Sequence, residues 1–151
     1  DVGKIAISDG IRNKPGKLTA EEYEIMKTHT IQGARLLEKI PQLRKHAVFH
    51  YAYDIARHHH ERWNGKGYPD GLSGEAIPVW VQVVSVADVY DALVSKRVYK
   101  DAYGFDEALE MISSGQCGQF SPRLMEAFTG AEKELRKLYH TKQTGGESVS
   151  G

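Results

Sequence analysis

The chain has 151 residues, 40% of them apolar, and its twenty basic and twenty acidic side chains leave no formal net charge. That length suffices for one compact domain with a real core, and the charge balance excludes a broad field drawing it to a nucleic-acid polymer or a membrane surface, so any anion must be gripped locally. The single cysteine, Cys117, excludes an internal disulfide framework and fits a reducing compartment, with the cytoplasm as the default. The longest apolar run, around residues 79–87, is too short to cross a bilayer, and no signal peptide is visible.

The opening Asp1-Val2-Gly3-Lys4 reads as the end of a helix begun upstream, with Asp1 and Lys4 sharing a face at i, i+3, so the chain is taken as a piece of a longer polypeptide. Residues 8–18, with Pro15-Gly16, read as a loop. Thr19 and Glu22 then form a capping box that opens a helix running to about residue 39. Tyr23, Met26, Gly33, Leu36, Leu37 and Ile40 recur along it at helical steps, and His29 lies on the same stripe. Pro41 closes that helix. The next begins near Arg44, where Val48, Ala52, Ile55 and His59 keep the step and His60 lies about 100° round the axis.

A lone inward histidine is more often a satisfied core residue than a ligand. Three on two adjacent helices leave several ring nitrogens to satisfy, and a shared metal does so economically. The triplet His58-His59-His60 lies mid-chain among mixed residues, which separates it from an affinity tag.

Residues 61–78, rich in glycine and with a Pro69-Asp70-Gly71 turn signal, form a long loop of the kind that usually carries function. A strongly apolar helix over 79–95 follows, with Val83, Val86, Ala87, Tyr90 and Val94 as its packing face. It holds Asp88 and Asp91, one of which should meet a cation. Lys96, Arg97 and Lys100 come next; such a run is commonly a solvated surface, but this close to a metal site it suits a phosphate clamp. Residues 105–114 read as an amphipathic helix capped by Asp106. Ser121-Pro122 opens another, with Leu124, Met125, Ala127 and Phe128, that continues to about Leu138. The domain is assigned to 1–139 and the Thr-, Gly- and Ser-rich residues 140–151 to a disordered tail or linker. No strand pair is evident, so the fold class is all-α, a helical bundle with a long glycine-rich loop.

Taken together, Asp1-Val2-Gly3-Lys4, Lys14-Pro15-Gly16-Lys17-Leu18-Thr19, Met26-Lys27-Thr28-His29, His59-His60-Glu61-Arg62-Trp63, Gly67-Tyr68-Pro69, Val86-Ala87-Asp88, Asp91-Ala92-Leu93 and Arg97 with Lys100 resemble, in order and spacing, an HD-GYP domain of the HD-superfamily metal-dependent phosphohydrolases. The resemblance implies hydrolysis of cyclic di-GMP to a linear dinucleotide, and often on to GMP, at a centre of two or three divalent transition metals, usually iron or manganese. It makes Asp1 the aspartate of the His-Asp pair, whose histidine would precede this chain, and His29, His59, His60 and Asp88 the remaining ligands. Lys4 would meet the scissile phosphate, Gly67, Tyr68 and Pro69 would form the substrate loop, and Arg97 and Lys100 would hold nucleotide phosphates.

Two divalent ions sharing a carboxylate and a water would lower that water's pKa and set it in line with phosphorus. An upstream sensory or receiver domain is the partner such a domain implies. Because the first helices of the bundle are missing from the match, weak or absent activity is expected for this piece alone. Two positions depart from the family pattern: Asn64 stands where aspartate commonly precedes glycine, and Ser121 replaces a frequent aspartate before Pro122. The rival readings are a catalytically inactive cyclic-dinucleotide sensor and a phosphohydrolase for another nucleotide.

Overall fold

A computed structural model describes residues 1–95 and 102–145. Lys96, Arg97 and Lys100, and with them the expected phosphate clamp, lie outside the described residues, as do residues 146–151. The architecture is all-α. A 3-10 turn over Val2–Ala6 leads into α1 (Asp9–Arg12), α2 (Ala20–Lys27), α3 (His29–Glu38), α4 (Pro41–Arg44) and α5 (Phe49–His58). After the glycine-rich loop and a second 3-10 turn (Gly74–Ala76) come α6 (Val79–Val94), α7 (Phe105–Ser113), α8 (Pro122–Gly130) and α9 (Glu132–Gly145). Among the described residues there is no strand, only an isolated antiparallel bridge between Asn64 and Ser73 within the loop.

The capping box forms as its residue types require. The Glu22 amide donates to Thr19 Oγ1, and the Glu22 carboxylate accepts from the Thr19 amide at 2.7 Å. The expected helix over 19–39 is, however, two helices meeting at Thr28. There the Thr28 hydroxyl donates back to the Ile25 carbonyl at 2.7 Å and its amide bonds the same carbonyl, which tightens and bends the turn. Pro41, expected to close a helix, instead occupies the first turn of α4, where its missing N–H costs nothing. Asp106 is not the cap of α7. Gly104 takes that position, while Asp106 sits in the first turn and accepts from Arg136 of α9 at 2.6 Å. Ser121 does cap α8, accepting from the Leu124 amide at 3.1 Å. The helix from Ser121 breaks at Gly130 and Ala131 rather than continuing, and α9 carries regular structure to Gly145, past residue 139.

α3 packs on α5 and on the Val2–Ala6 turn, α5 on α6, and α6 on α7. A core cluster of Val86, Leu93, Ala108 and Ile112 is filled out by Tyr90, Phe120, Leu124 and Phe128. Along α6 the buried residues are Val81, Ser85, Val86 and Leu93, and Val83, expected on the packing face, is exposed. In a helix this uniformly apolar, periodicity cannot single out the buried side.

Two close backbone approaches place the residues of the candidate site. Gly3 lies so tightly against α3 that a Cβ there would collide with the His29 carbonyl oxygen and the Gly33 backbone. A Cβ at Gly67 would likewise collide with the backbone of His60, Glu61 and Arg62. Glycine at these positions lets the opening turn and the long loop reach the histidines.

Candidate metal centre

His29 opens α3, and its Nδ1 lies 2.7 Å from the Met26 carbonyl oxygen. His59 caps the C-terminus of α5, and its Nδ1 lies 2.8 Å from the Ile55 carbonyl oxygen. A carbonyl only accepts, so in each ring Nδ1 carries the hydrogen and Nε2 keeps its lone pair. The two Nε2 atoms are 3.3 Å apart. Asp1 Oδ1 stands 3.4 Å from the first and 3.6 Å from the second. With a ligand atom of His60 included, the donor atoms of Asp1, His29, His59 and His60 all lie within 4.8 Å of one another.

Burial pushes the His29 imidazolium down to about 4, with the neighbouring His59 and Lys4 acting in the same direction, and it pushes His60 down to about 2. Burial lowers His59 as well. At neutral pH all three rings are therefore uncharged; His29 and His59 keep their one hydrogen on Nδ1, so their Nε2 lone pairs face the Asp1 carboxylate with no hydrogen between them, and His60 brings a third imidazole within 4.8 Å. That arrangement is costly without a cation at its focus, and neutral imidazole with carboxylate is the donor set of divalent transition metals rather than of magnesium or calcium. The residues present fit a metal.

The other expected site residues surround this focus. Asp1 divides its carboxylate: Oδ1 faces the imidazoles and Oδ2 accepts from Lys4 Nζ at 2.6 Å, as their i, i+3 spacing required. Tyr68 stacks on His60 with ring centroids 4.7 Å apart and a 25° interplanar angle, and its amide lies 3.3 Å from the His60 carbonyl oxygen. Gly67 and Pro69 flank it in the loop, so the signature tripeptide lies against the segment that carries His59 and His60. Burial raises the Tyr68 phenol, keeping it a neutral hydroxyl. Asp88 is half-buried on α6 and outside the four-residue group. Its charge nevertheless acts on His59, raising that imidazole against the effect of burial.

Other residues of the site were not assigned a role by sequence reasoning. Glu61 is 2% exposed and binds two loop amides. Arg62, its guanidinium pushed down by burial, donates through Nη1 to Ser85 Oγ at 2.8 Å and to the Glu61 carbonyl at 2.9 Å. His58 is outside the group that could hold a metal, and its Nε2 lies 2.9 Å from Asp70 Oδ2. Arg57 pairs with both oxygens of the same carboxylate at 2.8 and 2.9 Å. The available signal was an unbroken polar run, 57–62, beside a glycine-rich turn.

The family model described as HD domain matches residues 1–124. The chain belongs to the HD-domain family. It is 42% identical over 151 residues, its whole length, to a cyclic di-GMP phosphodiesterase of Thermotoga maritima, of which it covers 40%. It is 45% identical over 136 residues to a cyclic di-GMP phosphodiesterase of Vibrio cholerae, matching 89% of this chain and 28% of that one. A 3'3'-cGAMP-specific phosphodiesterase 2 of Vibrio cholerae is 41% identical over 126 residues, 83% of this chain and 23% of that one. These names agree with the HD-GYP resemblance in the sequence. The chain spans less than half the length of the curated relatives it matches. Among the described residues, no helix is long and apolar enough to cross a membrane.

Proposed function

We propose that this domain is a metal-dependent phosphodiesterase that hydrolyses cyclic di-GMP to linear pGpG, and onward to GMP, using two or three iron or manganese ions. The observation that carries the reading is the convergence of the His29 and His59 Nε2 lone pairs, 3.3 Å apart, on the Asp1 carboxylate. In this reading Asp1, His29, His59 and His60 hold metal, and Asp88 extends the site from α6. Divalent ions, when bound, supply an acidified water and neutralise charge on the phosphoryl oxygens.

The protein's own residues do the rest. The carbonyls of Met26 and Ile55 fix the two tautomers, so each imidazole presents its lone pair without reorganisation. Lys4, held by Asp1 Oδ2, places a cation at the rim, where it contacts the scissile phosphate and stabilises the charge growing on it. Gly67, Tyr68 and Pro69 form a wall for the nucleotide. Arg97 and Lys100 are assigned the remaining phosphate contacts on sequence grounds alone. A sensory or receiver domain in the same polypeptide, working in the cytoplasm, completes the reading.

The 41% identity to a relative named for 3'3'-cGAMP supports a second reading with the same chemistry on another 3'3'-linked cyclic dinucleotide. Incubating the full-length, manganese-loaded protein with each dinucleotide and separating the products by chromatography distinguishes the two. Linear pGpG from cyclic di-GMP is the expected result. Turnover of cGAMP alone would select the second reading, and tight binding without turnover of either would make the domain a sensor.

A further inference from the structure

Glu61 directly follows the two histidine ligands, yet it is no member of the metal cluster. It is 2% exposed, and burying a carboxylate without partners is expensive. Its Oε1 accepts from the backbone amides of Asp70 at 2.7 Å and Gly71 at 3.1 Å. The residue after His60 is thereby tied to the far side of the turn that carries Tyr68. Its Oε2 is buried with no hydrogen-bond partner.

Glu61 also lines a cavity of about 10 Å³, together with Gln82 and Ser85 of α6 and Ser121 at the head of α8. That is room for a single water, which needs two or more polar partners. Each of the three neighbours has a donor to spare. Ser85 Oγ accepts from Arg62 at 2.8 Å and Ser121 Oγ accepts from the Leu124 amide at 3.1 Å, which leaves both hydroxyl hydrogens uncommitted. Gln82 Nε2 donates to the Ile77 carbonyl at 2.7 Å and keeps a second N–H.

We infer that Glu61 is the positioning residue of the glycine-rich loop, with Oε1 gripping the Asp70 and Gly71 amides and Oε2 held through one ordered water to Ser85, Gln82 and Ser121. One carboxylate then joins the ligand segment, the substrate loop and the two helices behind them, and it sets Tyr68 flat against His60. Truncating it frees the loop and leaves the four ligands in place. The consequence for substrate rests on the phosphodiesterase reading; the loop clamp itself does not.

The test compares wild type, Glu61→Ala and Glu61→Gln in the full-length, manganese-loaded protein. In Glu61→Ala, hydrogen exchange at the Asp70 and Gly71 amides should quicken by about tenfold or more, as expected for losing a hydrogen bond to a charged group. Metal content should be unchanged. KM for cyclic di-GMP should rise about tenfold while kcat moves by less than about threefold. Glu61→Gln, which keeps an acceptor for the amides, should restore exchange and KM to near wild type.

Unchanged amide exchange with unchanged KM in Glu61→Ala would overturn the inference. So would loss of metal in both variants, because Glu61 would then be an ordinary part of the centre's scaffold. A wild type that cleaves bis(p-nitrophenyl) phosphate but no cyclic dinucleotide would defeat the proposed substrate alone, and amide exchange would then decide the role of Glu61. A crystal structure showing the cavity empty of water density would remove the bridging water.

Discussion

Replacing Gly3 by alanine tests how the opening turn places Asp1. The added Cβ would overlap the His29 carbonyl oxygen and the Gly33 backbone, neither of which is the movable end of a side chain. The Val2–Ala6 turn must then lift away from α3, and overpacking of this kind costs about 1–3 kcal/mol. In a domain of this size that corresponds to a fall in Tm of about 3–10 °C. The same lift carries Asp1 Oδ1 away from the two imidazole nitrogens it now approaches at 3.4 and 3.6 Å. Metal–ligand distances tolerate only about 0.2 Å, so metal affinity should fall by about tenfold or more and turnover by about a hundredfold. Gly10 is the control, because a Cβ there meets nothing within 4 Å. The assay is thermal denaturation with and without manganese, together with metal analysis, on both variants in the full-length protein. A Gly3→Ala protein with wild-type Tm and metal content would refute the close approach and the role it gives Asp1.

Other perturbations separate the centre from the scaffold. His59→Ala should release metal and abolish turnover, read by elemental analysis and product chromatography; unchanged metal content would remove His59 from the ligand set. Ile112→Ala empties a site in the core of α6, α7 and α8, a cluster that contains no ligand, and should cost about 2–5 kcal/mol in chemical denaturation with metal content unaltered. Ser121→Ala removes the cap of α8 and should cost about 1 kcal/mol by the same method. Arg57, and after it His58, hold the Asp70 carboxyl below its usual range. A folded value below the unfolded one means stabilisation that is present above about pH 4 and lost as pH falls through the folded value. With both partners partly exposed it is worth no more than about 1 kcal/mol. Asp70→Asn should therefore be less stable than wild type at pH 7, and the difference should vanish as pH falls below the folded value of Asp70.

The sequence made the candidate metal-binding cluster legible because the chemistry depends on residue type and helical step. His29 lies on the buried stripe of its helix, His59 and His60 follow just past the C-terminal end of α5, and Asp1 with Lys4 keeps an i, i+3 pair that the structure joins at 2.6 Å. The all-α class followed from the capping box, the Ser121-Pro122 start and the absence of alternation. What stayed hidden depends on backbone partners. The break at Thr28 comes from a hydroxyl bonding back to Ile25, and the same residue could equally have pointed to solvent. The buried side of α6 could not be chosen among so many valines. Glu61 was read only as part of a motif, because its partners are the amides of Asp70 and Gly71, and amides leave no mark on residue type. Asp88 sits on the expected helix, but its distance from the other four is a matter of packing.

In the proposed function, Asp1, His29, His59 and His60 form one metal centre. Anomalous diffraction at the manganese or iron edge, on crystals of the metal-loaded full-length protein, tests it most directly. A peak at the focus of His29 Nε2, His59 Nε2 and Asp1 Oδ1 is expected. A metal-replete protein whose anomalous peaks all lie elsewhere would contradict it.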